Sequence, residues 1–240
     1  MKGAISVIRH ILQCLTVYVI VFFSTSIASA MSFSQPVKVG TIVAANIGGF
    51  AFRDGVYNEG ILAKNAKRGA YEKGIARFGE GSNALYFHYY TGTYTNKYND
   101  QIMLFGSKNI NNTIKVPIMV ADVAKLTNDS GMTMYIIHDS YDLPEENSYT
   151  LVGINKDGKW VKYFDTDSIA KRYFGKPERV WSDNSIWFDT LECRGDTVII
   201  QYNRYHRGLK NSRSGYVKEG EFRFKWNDAA QWFGVEQVVY

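Results

Sequence analysis

The chain has 240 residues, of which 45% are hydrophobic and 15% aromatic, enough to bury a sizeable core without disulfides or a structural metal. Its 28 basic and 23 acidic side chains give a net charge of +5, with no block of like charge along the chain. Because a nucleic-acid-binding surface needs basic residues clustered on one face, this composition does not favour a nucleic-acid partner.

The first 30 residues are ordered like a secretory signal peptide. Two basic residues precede an apolar stretch at 11–23, and Ala28 and Ala30 occupy the small-residue positions of a cleavage site. The apolar stretch is shorter than the ~20 residues that a membrane-spanning helix needs, and no second stretch of that length follows. We therefore predict that the leader is removed and that the mature chain begins near Met31. It should be periplasmic or secreted, without a transmembrane segment.

Removal of this leader changes the charge and the cysteine content. The leader carries Lys2 and Arg9 but no acidic residue, so the net charge falls by two, from +5 to +3. Cys193 remains as the one cysteine of the mature chain, which excludes an internal disulfide, and we predict that it is buried. Residues 31–240 contain no low-complexity linker or Pro-rich hinge and are predicted to form a single all-β domain.

Segments whose apolar residues recur at every second position predict β-strands, because successive side chains of a strand point to opposite faces. In chain order, the predicted strands are 37–44, 84–94, 101–105, 113–120, 133–138, 185–190, 198–202 and 221–226. A hairpin is predicted across 151–164, where Asn155 to Gly158 supplies turn residues. Both a helix and a hairpin remain open for 60–78, which contains alanines and lysines but is interrupted by glycines.

The segment 221–226 shows the clearest alternation. Phe222, Phe224 and Trp226 are predicted to face the core. The charged residues between them are predicted to face solvent, and these are Glu221, Arg223 and Lys225.

Helix signals are short and local. Asp167 or Ser168 is predicted to cap a helix that runs to Phe174 and ends at Gly175. Asp228 is predicted to cap a single helical turn.

The spacing of the strands predicts an antiparallel β-sandwich, jelly-roll-like, with one or two short helices. The Phe-Asp-Thr triplets at 164–166 and 188–190 leave a small β-propeller as the alternative, although a propeller repeats its pattern over about 40 to 45 residues.

The strand predicted at 84–94 is aromatic on both faces. Its alternation places four side chains on one face: Tyr86, His88, Tyr90 and Tyr94. Such rings either pack in a core or form a platform on which a sugar or a protein partner stacks. We take these four as candidate ligand-binding residues.

A basic segment follows the strand predicted at 198–202. Arg204, His206 and Arg207 begin it, and the glycines and serines beyond them indicate a loop. These three are candidate residues for contacting an acidic partner, although solubilisation of a long loop is the favoured explanation.

Candidate catalytic groups are sparse. Asp165, Asp167 and Asp189 could supply the paired carboxylates of a glycosidase, but carboxylates at strand ends commonly cap turns. No metal-binding or cofactor motif is present, and adjacent His138 and Asp139 would point to opposite faces of a strand.

These features favour an exported binding module without enzymatic activity. Its expected partner is an envelope or extracellular protein, as for an inhibitor or an immunity-type protein, or a carbohydrate. The alternatives are a secreted glycan-acting hydrolase that uses paired carboxylates and a structural surface protein.

Overall fold

In the computed structural model, the described residues are 31–45, 49–53, 57–58, 72–91, 101–116, 120–139, 148–175, 186–205 and 216–240. From Ser32 to Tyr240 they belong to one compact unit. None of the helices in these ranges is long and apolar enough to cross a membrane.

Fifteen strands and one helix make up the regular structure of the described residues. The strands are β1 (Val37–Ala45), β2 (Gly49–Arg53), β3 (Tyr57–Asn58), β4 (Glu72–Phe78), β5 (Leu85–Thr91), β6 (Gln101–Gly106), β7 (Thr113–Lys115), β8 (Val120–Thr127), β9 (Thr133–Asp139), β10 (Ser148–Ile154), β11 (Trp160–Asp165), β12 (Ile186–Arg194), β13 (Thr197–Tyr205), β14 (Tyr216–Asn227) and β15 (Trp232–Val239). The helix α1 is Thr166–Phe174. Every strand predicted from the sequence overlaps an observed one.

The strands form three antiparallel sheets, which confirms the predicted all-β fold. The five-stranded sheet has the order β3-β4-β5-β6-β7, and the four-stranded sheet has the order β12-β13-β14-β15. In the six-stranded sheet the order is β11-β10-β9-β8-β1-β2, so β1 pairs with a strand that follows it much later in the chain. Apart from that one pairing, strands pair with their neighbours in sequence.

The main core lies between the five-stranded and six-stranded sheets. Alternate side chains of each sheet meet there, and Phe87 and Phe105 pack with ring centroids 4.8 Å apart. The buried residues of this core are Ile42, Ala76, Phe78, Leu85, Phe87, Phe105, Val116, Ala121, Val123, Tyr135, Ile137, Val152 and Trp160. Burial of this much apolar surface is the dominant stabilising contribution to such a fold.

The opposite face of the six-stranded sheet packs against the four-stranded sheet through a β-bulge in β11. Leu151 pairs with Phe164 and Val152 pairs with Lys162, so Tyr163 is the extra residue. Phe164 stacks on Phe224 at 3.9 Å, and Tyr163 contacts the rings of Trp226 and Phe233. One face of the six-stranded sheet is therefore covered by the five-stranded sheet, and the part of the other face around β11 is covered by the four-stranded sheet.

The four-stranded sheet bears out the alternation of segment 221–226 and corrects one position. Phe222, Phe224 and Trp226 are buried, and Lys225 is exposed, as predicted. Glu221 was expected to face solvent but is 4% exposed, because Arg223 and Tyr240 cover its carboxylate.

The helix α1 begins two to three residues before the predicted caps. Asp165 is the N-cap, and its Oδ1 accepts a hydrogen bond from Ser168 N at 2.7 Å. The predicted end is confirmed, since Gly175 is the C-cap with a φ of 80°.

Two further local predictions are changed by the structure. The single helical turn expected after Asp228 is instead the turn of the β14–β15 hairpin, where Asn227 Oδ1 accepts a hydrogen bond from Ala230 N. For segment 60–78, where both a helix and a hairpin were expected as alternatives, the structure shows a strand over Glu72–Phe78. Residues 60–71 lie outside the described residues.

Candidate functional site

A row of polar side chains crosses the six-stranded sheet on the face opposite the main core. Thr41 of β1 pairs with Asp122 of β8, Asp122 pairs with His138 of β9, and His138 pairs with Tyr149 of β10. Residues paired in register point to the same face of a sheet, so these four side chains are neighbours. We call them the polar row.

The neighbouring rows on the same face are apolar. One row joins Ala124, Ile136, Leu151 and Phe164, and the next joins Leu126 to Met134. These rows lie beneath the four-stranded sheet, whereas the polar row lies at the end of β9, where the side chain of Asp122 is 39% exposed. Within two residues along each strand, the face therefore changes from a buried apolar surface to a polar one that is partly exposed at Asp122.

Asp122 is the centre of the polar row, and its contacts keep it ionised. Its Oδ1 accepts a hydrogen bond from Thr41 Oγ1 at 2.7 Å and lies 2.8 Å from Lys38 Nζ. Burial opposes ionisation, but the hydrogen bonds from Lys38 and Thr41, with the charges of Lys38 and His138, hold the pKa of Asp122 below its usual value. Its Oδ2 has no hydrogen-bond partner among the described residues.

His138 is held by a stacked ring. The rings of His138 and Tyr149 are nearly parallel, at 8°, with centroids 4.3 Å apart. Tyr149 is fixed in turn, because its Oη donates to the carbonyl oxygen of Asp189 at 2.8 Å and its backbone N donates to Thr166 Oγ1 at 2.9 Å. Burial and the negative charge of Asp189 raise the pKa of Tyr149 to about 12, so this hydroxyl remains a donor at neutral pH.

The order of groups in the polar row differs from that of a nucleophilic relay. In a catalytic triad the imidazole stands between the hydroxyl and the carboxylate. Here the carboxylate of Asp122 stands between Thr41 and His138. What the row offers is the second carboxylate oxygen of Asp122 as an acceptor, beside the ammonium group of Lys38.

Of the four candidate residues on the aromatic strand, Tyr86 and His88 have side chains that the structure describes. Tyr86 is half-buried, and His88 is 3% exposed with its Nε2 2.9 Å from the carbonyl oxygen of Ser107. The burial of His88 favours the packing interpretation at that position. Tyr90 belongs to β5, but its side chain lies outside the described residues, as does the whole of Tyr94.

Arg204 is the one residue of the predicted basic segment that the described part of the chain includes. Its Nε lies 2.7 Å from Glu219 Oε2, and its guanidinium carbon is 5.2 Å from the ring centroid of Phe174. These contacts tie the end of β13 to β14 and α1. His206 and Arg207 lie outside the described residues, and the binding role of this segment stays a prediction.

The carboxylates proposed from the sequence as a catalytic pair have other partners or are exposed. Both oxygens of Asp165 accept hydrogen bonds from Ser168, and Lys162 Nζ lies 2.6 Å from Oδ2. Burial opposes ionisation, but the bonds from Lys162 and Ser168 hold the pKa of Asp165 below its usual value. Asp167 and Asp189 are exposed.

Cys193 is buried, as predicted. Burial, with the nearby charge of Glu192, raises the pKa of its thiol to about 12. The thiolate needed for nucleophilic attack is therefore scarce at neutral pH. Within the described ranges, no group of three or more His, Cys, Asp or Glu residues is placed to hold a metal ion.

The polar row was not found from the sequence. One signal was present, since Asp122 interrupts the apolar residues of its strand and His138 ends the apolar run of the next. What could not be read is the pairing, because Thr41 and Asp122 are 81 residues apart. Comparison with family models, curated proteins and solved structures finds no match.

Proposed function

We propose that this protein is an exported binding module that holds a carbohydrate at the polar row without cleaving it. The observation that supports this proposal is Asp122, an ionised carboxylate whose Oδ2 has no partner among the described residues and whose Oδ1 lies beside the ammonium group of Lys38. A sugar presents neighbouring hydroxyl groups that donate to a carboxylate and accept from an ammonium group. Charge-assisted hydrogen bonds of this kind are about twice as strong as neutral ones.

Binding is favoured over hydrolysis because the carboxylates of the polar row and of the predicted catalytic pair whose pKa is resolved do not have the raised pKa of a general acid. A glycosidase needs a carboxyl group whose pKa is raised, beside a second carboxylate about 5 to 9.5 Å away. The pKa values of Asp122 and Asp165 are both lowered. The glycan-acting hydrolase is therefore the less supported alternative. If the protein were a hydrolase, incubation with an oligosaccharide would release new reducing ends.

A protein partner is a second candidate, supported by exposed apolar side chains at one end of the four-stranded sheet. Val217 is 39% exposed, Val239 61% and Tyr240 63%. Lys218 Nζ lies 4.9 Å from the ring centroid of Tyr240 and adds a positive charge. Exposed aromatic and apolar side chains of this kind are typical of the centre of a protein interface.

Export is part of the proposal and depends on the leader, which lies outside the described residues. Small residues at Ala28 and Ala30 support cleavage before Met31. Expression in a bacterium with an intact secretory pathway should yield a periplasmic or extracellular chain whose intact mass corresponds to residues 31–240. Recovery of the full-length chain in the membrane fraction would contradict this.

The carbohydrate proposal is tested by removing the charge of Asp122. Titration calorimetry with cellohexaose and chitohexaose should show binding to the mature protein, and Asp122→Asn should weaken it at least tenfold, since a charge-assisted hydrogen bond contributes about 1.5 to 3 kcal/mol. Asp157→Asn is the matched control, because Asp157 lies in the exposed β10–β11 turn. Equal affinity of a folded Asp122→Asn variant, or no binding by the unmodified protein, would overturn the proposal.

A further inference from the structure

Trp232 is an exposed aromatic ring beside buried ones. It is 42% exposed, whereas Trp226 is 4% and Phe233 7% exposed. All three residues lie in the β14–β15 hairpin. Exposure of so large an apolar ring gives up part of the stabilisation that its full burial would provide.

The ring of Trp232 is held in place by Tyr163. Their ring centroids are 5.0 Å apart at an interplanar angle of 55°. Tyr163 is itself packed edge-on against Trp226 at 5.6 Å and Phe233 at 5.8 Å. A ligand that stacks on Trp232 therefore meets a ring that is already ordered, which lowers the entropic cost of binding.

The turn beside Trp232 is strained and presents acceptor oxygens. Gln231 has a φ of 51°, the only positive value at a non-glycine residue in the described ranges. Its Nε2 donates to the carbonyl oxygen of Asp228 at 2.8 Å, and Trp226 Nε1 donates to Asp228 Oδ1 at 2.8 Å. Gln231 Oε1 and Asp228 Oδ2 are left without a hydrogen-bond partner among the described residues.

We propose that Trp232, with Asp228 and Gln231, forms a stacking subsite for a pyranose ring. The inference rests on the carbohydrate-binding function proposed above and adds a second contact region to it. A pyranose with equatorial hydroxyls has an apolar face of C–H groups that packs on the indole, while its rim hydroxyls donate to the Asp228 and Gln231 oxygens. A single exposed ring next to a turn that carries acceptor oxygens favours a sugar over a protein interface, which needs a wider apolar patch.

This subsite is separate from the polar row. Tyr163, which supports Trp232, lies next to Gly153 and Met134. A Cβ atom placed on Gly153 would be 3.0 Å from the Tyr163 ring and 3.1 Å from the Met134 side chain. Met134 and His138 are four residues apart on β9, about 13 Å along the strand. Variants of Trp232 and Asp122 therefore test different contacts.

The test compares Trp232→Ala, Trp232→Phe and Ile110→Ala, which is the control because Ile110 is an apolar residue of the β6–β7 turn that is 40% exposed. In calorimetry with cellohexaose, Trp232→Ala should weaken binding about threefold to tenfold, and Trp232→Phe should retain most of the affinity. Ile110→Ala should bind as the unmodified protein does. Cellohexaose should also protect Trp232 from acrylamide quenching of its fluorescence, a protection that Trp232→Phe should lack.

The outcomes separate this inference from the function on which it depends. Unchanged affinity of a folded Trp232→Ala variant, with binding still weakened by Asp122→Asn, overturns the stacking subsite alone. Absence of cellohexaose and chitohexaose binding to the unmodified protein overturns both proposals. Urea unfolding of each variant shows whether lost binding reflects a lost fold.

Discussion

Glu221 keeps its charge although only 5% of its side chain is exposed. Tyr240 Oη donates to its Oε2, and Arg223 Nε lies 2.7 Å from its Oε1. The hydrogen bond from Tyr240 and the contact with Arg223 hold the pKa of Glu221 below its usual value, although burial opposes this. Both carboxylate oxygens are therefore engaged within the protein.

The lowered pKa of Glu221 predicts a loss of stability in acid. A group with a depressed pKa in the folded state stabilises the fold above its unfolded-state pKa, and this contribution is lost as the pH falls through the folded-state value. Glu221→Gln should therefore lower the free energy of unfolding by about 1 kcal/mol at pH 7. It should also reduce the stability difference between pH 7 and pH 3, as measured by urea unfolding.

Glu80→Gln is the control for this experiment, because Glu80 is exposed in the turn between β4 and β5. It should leave the pH dependence as it is. If the free energy of unfolding falls by the same amount between pH 7 and pH 3 in the unmodified protein and in Glu221→Gln, the Glu221 contacts do not act as described.

Asp122 contrasts with Glu221 in the use of its oxygens. Both side chains are ionised and lie next to a cation, but only Asp122 has an oxygen without a partner among the described residues. Glu221 thus connects β14 to the chain end at Tyr240. The difference separates a carboxylate with a structural role from one available to a ligand.

At the scale of single elements, β14 contributes one of its faces to the core. Phe224→Ala should lower the free energy of unfolding by about 3 to 5 kcal/mol, because Phe224 is 1% exposed and stacks on Phe164. Lys225→Ala should change it by less than about 0.5 kcal/mol, since that side chain is 71% exposed. Urea unfolding checks both values, and a larger loss for Lys225→Ala would mean that the register of β14 is wrong.

The strands were predictable where alternation is strong and missed where it is weak. Segment 221–226 alternates aromatic and charged residues, and its burial pattern follows from that. β2 and β15 were not predicted, because Gly49–Arg53 is short and Gly234 interrupts the apolar residues of Trp232–Val239. The N-cap of α1 was displaced to Asp165, since Asp165, Asp167 and Ser168 are all residue types that cap helices.

The bulge in β11 lies beyond what alternation can predict. Strict alternation would place Tyr163 and Phe164 on opposite faces of the sheet. The extra residue lets both rings contact the four-stranded sheet. Only the observed register shows this, and the support of Trp232 depends on it.

For the whole molecule, the pairing of β1 with β8 creates the polar row. Thr41 and Asp122 meet only because the strand order of the six-stranded sheet departs from the order of the chain. Such long-range pairing must overcome the entropy of closing a long loop, and local sequence patterns do not specify it. The fold class could thus be predicted from the sequence, whereas the candidate site could not.

The boundary between apolar and polar rows on the six-stranded sheet has a consequence for how this protein can evolve. The rows under the four-stranded sheet supply packing, and replacement of their side chains threatens folding. Thr41 and Asp122 lie in the polar row, outside those two rows. Substitutions in the polar row would therefore change the proposed ligand site while leaving the packing of the scaffold in place.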